Sequence, residues 1–136
     1  MAAARVLLAD DSQAMLALVR QLLEPAYCVV GATSDGRTLV REAMKLLPDA
    51  LVIDISMPLL SGLEAARRLQ CAHCPARIVF LTIHDDPAFV AAALAVGASG
   101  YVLKASAAED LLPALSAALK GETFISRLPD IRANSE

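Results

Sequence analysis

Residues 48–58 read PDALVIDISMP, and the fold follows from how this stretch is read. Ala50 to Ile53 is an unbroken apolar run with no polar alternation, so a strand here must be covered on both faces. That is the mark of a parallel sheet packed between helices. Pro48 stops the amphipathic pattern that precedes the run, Asp54 closes it, and Met57-Pro58 marks the loop beyond. The same unit recurs outward in both directions. Upstream lie a strand at Arg5 to Ala9, a helical pattern from Ser12 to Glu24, a strand at Tyr27 to Gly31 and a helix from Asp35 to Leu47. Met15, Leu18, Val19, Leu22 and Leu23 would face inward on the first helix, and Leu39, Ala43 and Leu46 on the second. Downstream come a helix near Gly62 to Gln70, a strand at Arg77 to Leu81, a helix near Pro87 to Val96, a strand at Gly100 to Leu103 and a helix from Ala107 to Lys120. Pro113 is a local misfit in that last pattern and belongs either near its first turn or at a kink.

Strand and helix thus alternate five times, which specifies a doubly wound α/β sandwich with a parallel sheet, expected in the order 2-1-3-4-5. The chain of 136 residues, 57% hydrophobic and 20% charged, is one domain's worth and too apolar to be disordered. We read residues 1–121 as the domain and 122–136 as a tail or the start of a linker. A net charge of −3, no tryptophan and 4% aromatics argue against a nucleic-acid footprint. No secretory or membrane-spanning pattern is evident, so a cytoplasmic protein with no membrane partner is expected. Cys28, Cys71 and Cys74 form no disulfide framework. Cys71, His73 and Cys74 read as a surface loop between helix and strand, because a lone C-x-x-C lacks a second ligand pair.

The polar residues gather at one end of the strands. Asp10 and Asp11 follow the first strand, Asp54 the third, Thr82 the fourth and Lys104 the fifth. In an open parallel sheet, ligands bind at the carboxyl ends of the strands, and in the order 2-1-3-4-5 these side chains share one rim. Carboxylates about 4 Å apart repel by about 4 kcal/mol at an effective dielectric near 20. One lysine cannot hold three of them ionised, so a proton or a divalent cation must enter. Hard oxygen ligands with room for water suit Mg²⁺. Lys104 and the Thr82 hydroxyl supply the complement for phosphoryl oxygens, and together these groups point to phosphoryl transfer onto an aspartate.

Those residues carry a resemblance. LADD at 8–11, PDALVIDISMP at 48–58, Ser61-Gly62, Leu81-Thr82 and GASGYVLK at 97–104 make residues 4–121 resemble the CheY-like receiver domain of two-component response regulators. The resemblance implies a (βα)5 flavodoxin-like fold with Asp54 as phosphoacceptor. It implies Mg²⁺ held by Asp11, Asp54 and the backbone carbonyl of Ser56, with Asp10 helping through water. Lys104 would pair with the acyl phosphate, Thr82 would donate to it, and Tyr101 would move with the switch. Ser56 and His84 occupy the two variable positions that tune phosphoryl lifetime in this family. Many receivers carry proline where Ala105 stands.

The resemblance also implies a sensor histidine kinase as phosphoryl donor and a signalling switch rather than an enzyme. The stretches at 100–106 and 120–126 look most like the NarL/LuxR type, whose regulators carry a DNA-binding helix-turn-helix domain after the receiver. Only ten residues follow Ser126, too few for such a module. DNA binding would therefore belong to an output domain absent here. The alternative is a natural single-domain regulator or phosphorelay shuttle. On the helix from Pro87 to Val96, Val90, Ala93 and Leu94 are expected inward. Ala88, Ala91, Ala92 and Ala95 then form an outward face without polar groups, a candidate surface for homodimerisation on phosphorylation. A rival class, the Mg²⁺-dependent aspartate-nucleophile phosphohydrolases, normally opens an Asp-x-Asp on the first strand. Here Asp54-Ile55-Ser56 follows the third.

Overall fold

The computed structural model describes residues 3–128. Its elements are β1 (Arg5–Ala9), α1 (Gln13–Leu23), β2 (Cys28–Thr33), α2 (Gly36–Leu46), β3 (Ala50–Ile53), α3 (Gly62–Cys71), β4 (Arg77–Thr82), α4 (Pro87–Ala95), β5 (Gly100–Leu103), a 3-10 turn at Lys104–Ser106, α5 (Ala107–Leu119) and β6 (Phe124–Ile125). The strands pair in parallel in the order β2-β1-β3-β4-β5-β6.

Strand periodicity divides the core into two layers. Leu7, Ala9, Leu51, Ile53, Ile78, Phe80, Tyr101 and Leu103 pack with Leu39, Ala43, Ala65, Leu69 and Ala93 from α2, α3 and α4. Val6, Leu8, Ala50, Val52, Val79, Leu81 and Val102 pack with Leu16, Val19, Leu23, Leu111 and Leu115 from α1 and α5. Both faces of β3 are therefore buried, as its uninterrupted apolar run requires. Side-chain caps fix the helix starts that border the rim: Ser12 accepts from Met15 N, Asp35 from Thr38 N, Ser61 from Glu64 N and Asp86 from Ala88 N.

The structure departs from the sequence reading in five places. First, the sheet has six strands: Phe124 and Ile125 pair with Gly100 and Tyr101, so the start of the expected tail is an edge strand. Two residues are too few to show alternation, but the open edge of β5 offers hydrogen-bond partners that the apolar pair takes up. Second, α1 buries Leu16, Val19 and Leu23, while Leu18 is 43% exposed. Its apolar residues span so wide an arc that packing, not periodicity, selects the inner line. Third, β2 runs to Thr33 rather than Gly31, in register with Ala9. Fourth, Pro113 sits well inside α5, which rules out the first-turn placement of the two expected for it. Its ring is on the exposed side, where water can serve the Glu109 carbonyl that the absent Pro113 N–H leaves without a donor. Fifth, α4 buries Val90 and Ala93 and leaves Leu94 40% exposed. With apolar residues all round, nothing polar fixed its phase. No helix among the described residues is long and apolar enough to cross a membrane.

Candidate functional site

Register brings the rim residues together. Ala9 lies opposite Ile53 in the β1–β3 ladder, so Asp10 and Asp54 leave the sheet side by side, and the Asp54 amide donates to Ala9 O at 2.8 Å. Asp10, Asp54 and Lys104 continue the parity of Leu8, Val52 and Val102, on the α1–α5 side. Thr82 and Tyr101 continue that of Phe80, on the α4 side.

Carboxylate oxygens of Asp10, Asp11 and Asp54 all lie within 4.8 Å of one another. Asp10 and Asp54 are buried and Asp11 is exposed, so the cluster opens to solvent through Asp11. Lys104 Nζ bridges the buried pair, 2.9 Å from Asp10 Oδ2 and 3.1 Å from Asp54 Oδ2. The other oxygen of each accepts from the backbone two residues on: Ser12 N to Asp10 Oδ1 at 2.9 Å and Ser56 N to Asp54 Oδ1 at 3.3 Å. Burial raises the Asp54 pKa, and the neighbouring Asp10 charge adds to that; the Lys104 hydrogen bond opposes it without cancelling it. Burial pulls the Lys104 ammonium down, but its hydrogen bonds to Asp10 and Asp54 outweigh this and hold it above its ordinary value. The site therefore keeps a firm positive charge beside a carboxylate that resists ionisation.

Gly62 explains how α3 closes over this rim. A Cβ at Gly62 would lie 2.0 Å from Asp54 O, and the Gly62 amide donates to Ile55 O at 2.7 Å. Only a residue without a side chain lets the helix start so near the Asp54 backbone.

On the α4 side, His84 is the hub. Its amide donates to Thr82 Oγ1 at 3.2 Å, its carbonyl accepts from the Tyr101 hydroxyl at 2.6 Å, and Nε2 lies 2.8 Å from Ser56 Oγ. Its ring stacks on Phe89 with centroids 4.1 Å apart. Thr82 and Tyr101 are fully buried. Burial first, then the Asp85 and Asp86 charges, push the Tyr101 phenol up to about 12. Ser56 and His84, singled out separately in the sequence, thus meet and join the β3–α3 and β4–α4 loops. Phe89 as the ring beneath His84 was not foreseen. An aromatic at the start of α4, five residues after a loop histidine, was the available signal.

Of the proposed association face on α4, Ala88, Ala91 and Ala95 are exposed and Ala92 is half-buried. Leu94 joins the outward side instead. Among the described residues, Asp10, Asp11 and Asp54 form the one group of metal-ligating side chains that converges. Cys71 ends α3, its sulfur 3.9 Å from Arg67 Nη1. The Lys104–Ala105 peptide is trans.

Three carboxylates against one ammonium leave two negative charges in excess, all on hard oxygen atoms with one open side. Mg²⁺ commonly binds through one or two carboxylates while keeping several waters, so this donor set fits it.

Residues 6–116 match the family model described as the response regulator receiver domain. The nitrate/nitrite response regulator protein NarL of Escherichia coli is 38% identical over 125 residues, covering 90% of this chain and 58% of that protein. The transcriptional regulatory protein DegU of Brevibacillus brevis is 35% identical over 123 residues, 89% of this chain and 52% of that protein. The chain thus spans little more than half the length of these relatives. Among solved structures, a LuxR-family two-component response regulator from Aurantimonas superposes with a TM-score of 0.86 at 35% identity, covering 97% of this chain and 94% of that one. The non-phosphorylated receiver domain of RcsB from Escherichia coli gives 0.84 at 32% identity, covering 92% and 99%.

Proposed function

The chain belongs to the family of response regulator receiver domains, and its relatives are of NarL/LuxR type; from that premise we propose that Asp54 accepts a phosphoryl group from a phosphohistidine on a sensor histidine kinase. The observation that carries this reading is Lys104, bridging the buried pair Asp10 and Asp54 of a three-carboxylate cluster. A carboxylate oxygen of Asp54 attacks phosphorus, the P–N bond to the kinase imidazole breaks, and its electron pair stays on the ring nitrogen. Asp10, Asp11, Asp54 and the Ser56 carbonyl would hold Mg²⁺, which when bound offsets the surplus negative charge and screens the approaching phosphoryl oxygens. Lys104 then exchanges its Asp54 contact for a phosphoryl oxygen while keeping Asp10. The Thr82 hydroxyl oxygen already accepts from the His84 amide, so its own hydrogen is left for a second phosphoryl oxygen.

Drawing Thr82 toward the phosphoryl group pulls on the loop that His84 ties to Tyr101. A local charge change is thereby carried to the α4–β5 surface. The Ser56–His84 hydrogen bond crosses from one flanking loop to the other and sets the lifetime of the acyl phosphate by restricting water. The output is transcription regulation, as the name of the relative DegU suggests, through the DNA-binding helix-turn-helix module that the resemblance to the NarL/LuxR type implies. Self-association through Ala88, Ala91, Ala95 and Leu94 accompanies it.

The test is intact mass after incubation with acetyl phosphate and Mg²⁺. One phosphoryl group should be gained, and the gain should vanish in Asp54→Asn or with a chelator. An unchanged wild-type mass, or a gain that survives Asp54→Asn, removes the reading.

A further inference from the structure

Ser126 lies past the last helix, yet it is only 2% exposed and is bonded to β5 through both its backbone and its side chain. Its amide donates to Tyr101 O at 2.8 Å. Its hydroxyl oxygen accepts from the Leu103 amide at 3.1 Å and donates to Asp110 Oδ2 at 2.7 Å. One side chain therefore satisfies a backbone donor at the end of β5 and is itself oriented by a carboxylate on α5. Phe124 N on Ser99 O, at 3.0 Å, extends the same edge backwards.

The position of these bonds is what gives them consequence. They grip β5 at Tyr101 and Leu103, so the last tethered residue directly precedes Lys104. Leu103 is paired on its other side with Thr82. The 3-10 turn that starts at Lys104 has no side-chain cap of its own, nor has α5. What sets the start of that turn from the outer edge is the Ser126 hydroxyl.

We propose that Ser126 is a positioning residue for Lys104, and that β6 is a working part of the phosphorylation switch. The inference rests on the assignment of Asp54 as phosphoacceptor and of Lys104 as its phosphate partner. Holding Leu103 fixes the backbone from which Lys104 reaches Asp54. Under this proposal that root is held more firmly once Lys104 engages a phosphoryl oxygen, which is the differential contact a shift requires. Coupling between two sites is reciprocal: a phosphoryl group that engages Lys104 must tighten β6 on β5 by the same factor. The segment just beyond β6, where Leu128 still packs on the core, is then tied through Ser126 to the state of Asp54.

The experiment uses the 136-residue chain with acetyl phosphate and Mg²⁺, followed by intact mass, together with beryllofluoride as phosphomimetic. Ser126→Ala should slow phosphoryl uptake about fivefold, the worth of one ordinary hydrogen bond, and weaken beryllofluoride binding by a similar factor. Ser126→Thr, which keeps the hydroxyl, should restore both. A merely structural serine would lower the melting temperature and leave uptake by the folded fraction unchanged, and that result overturns the proposal. Wild-type protein gives a reading independent of any variant: amide exchange at Leu103, Phe124 and Ser126 should slow about fivefold on beryllofluoride binding, and unaltered exchange at all three overturns it. If wild-type Asp54 takes up no phosphoryl group at all, the underlying assignment fails first, and visibly so.

Discussion

Replacing the phosphoacceptor should make the metal-free protein more stable. Asp54→Asn removes one of three clustered carboxylates and leaves an amide oxygen of nearly the same shape. Worked at an effective dielectric near 20, the Lys104 contact at 3.1 Å contributes about 5 kcal/mol of attraction that the variant loses in part. Against it stands repulsion from Asp10, within 4.8 Å, of about 3.5 kcal/mol or more. Desolvation of the buried carboxylate adds a penalty of several kcal/mol. The raised pKa of Asp54 shows the balance: burial and Asp10 together outweigh Lys104 and the Ser56 amide. Asn keeps a hydrogen bond to Lys104 while escaping the penalties, for a net gain of about 1–2 kcal/mol.

The assay is thermal or urea unfolding of wild type and Asp54→Asn with a chelator present, where the variant should melt several degrees higher. A group whose folded-state pKa is raised stabilises the fold below its unfolded value, and loses that stability as pH rises through the folded value. The gap should therefore be widest near neutral pH and close as the pH falls through the ordinary Asp range. Adding Mg²⁺ should favour the wild type, because saturating a site at one hundred times its dissociation constant adds about 2.7 kcal/mol. A variant that melts at or below wild type in chelator at neutral pH refutes this account of the cluster.

Gly62→Ala should destabilise by about 1–3 kcal/mol in urea melts, because its Cβ has no room beside Asp54 O. In spectrophotometric titration, one phenol should stay protonated well above pH 10, since Tyr101 is pushed up to about 12. Its stabilising effect should fade as alkali reaches that range, and Tyr101→Phe should abolish the late step. His84→Ala should shorten the lifetime of phosphorylated protein several-fold, read from the decay of the phosphorylated mass peak, because it opens the Ser56 contact across the mouth. Ala91→Glu should weaken any phosphorylation-dependent dimer in sedimentation; unchanged association removes α4 as the interface.

The sheet and the rim were legible for one reason. β3 has no polar residue to place, so burial on both faces was the sole solution, and a parallel sheet sends every strand's carboxyl end the same way. Asp10, Asp54, Thr82 and Lys104 then had to share an edge before any contact was known. The α4 phase was illegible for the opposite reason. A helix apolar on all sides carries no moment, so Leu94 could be assigned inward with nothing in the sequence to object. α1 failed similarly, its broad apolar arc admitting more than one inner line.

The losses at the C-terminal end have a different cause. Strand signals need several residues of pattern, whereas Phe124-Ile125 is a pair and Ser126 an ordinary surface residue in sequence terms. Its hydroxyl partners, Leu103 on β5 and Asp110 on α5, lie 23 and 16 residues away. The same non-locality is why its role in the switch follows from structure alone. The β4 ladder ends at Leu103, one residue short of Lys104, and a long flexible side chain that must swap one carboxylate for a phosphoryl oxygen gains from a fixed root. An edge strand tied to that root places any tightening on phosphorylation at β6, next to the segment that ends the described chain. A receiver with this arrangement can pass its state through the backbone itself, independent of whether α4 ever finds a partner.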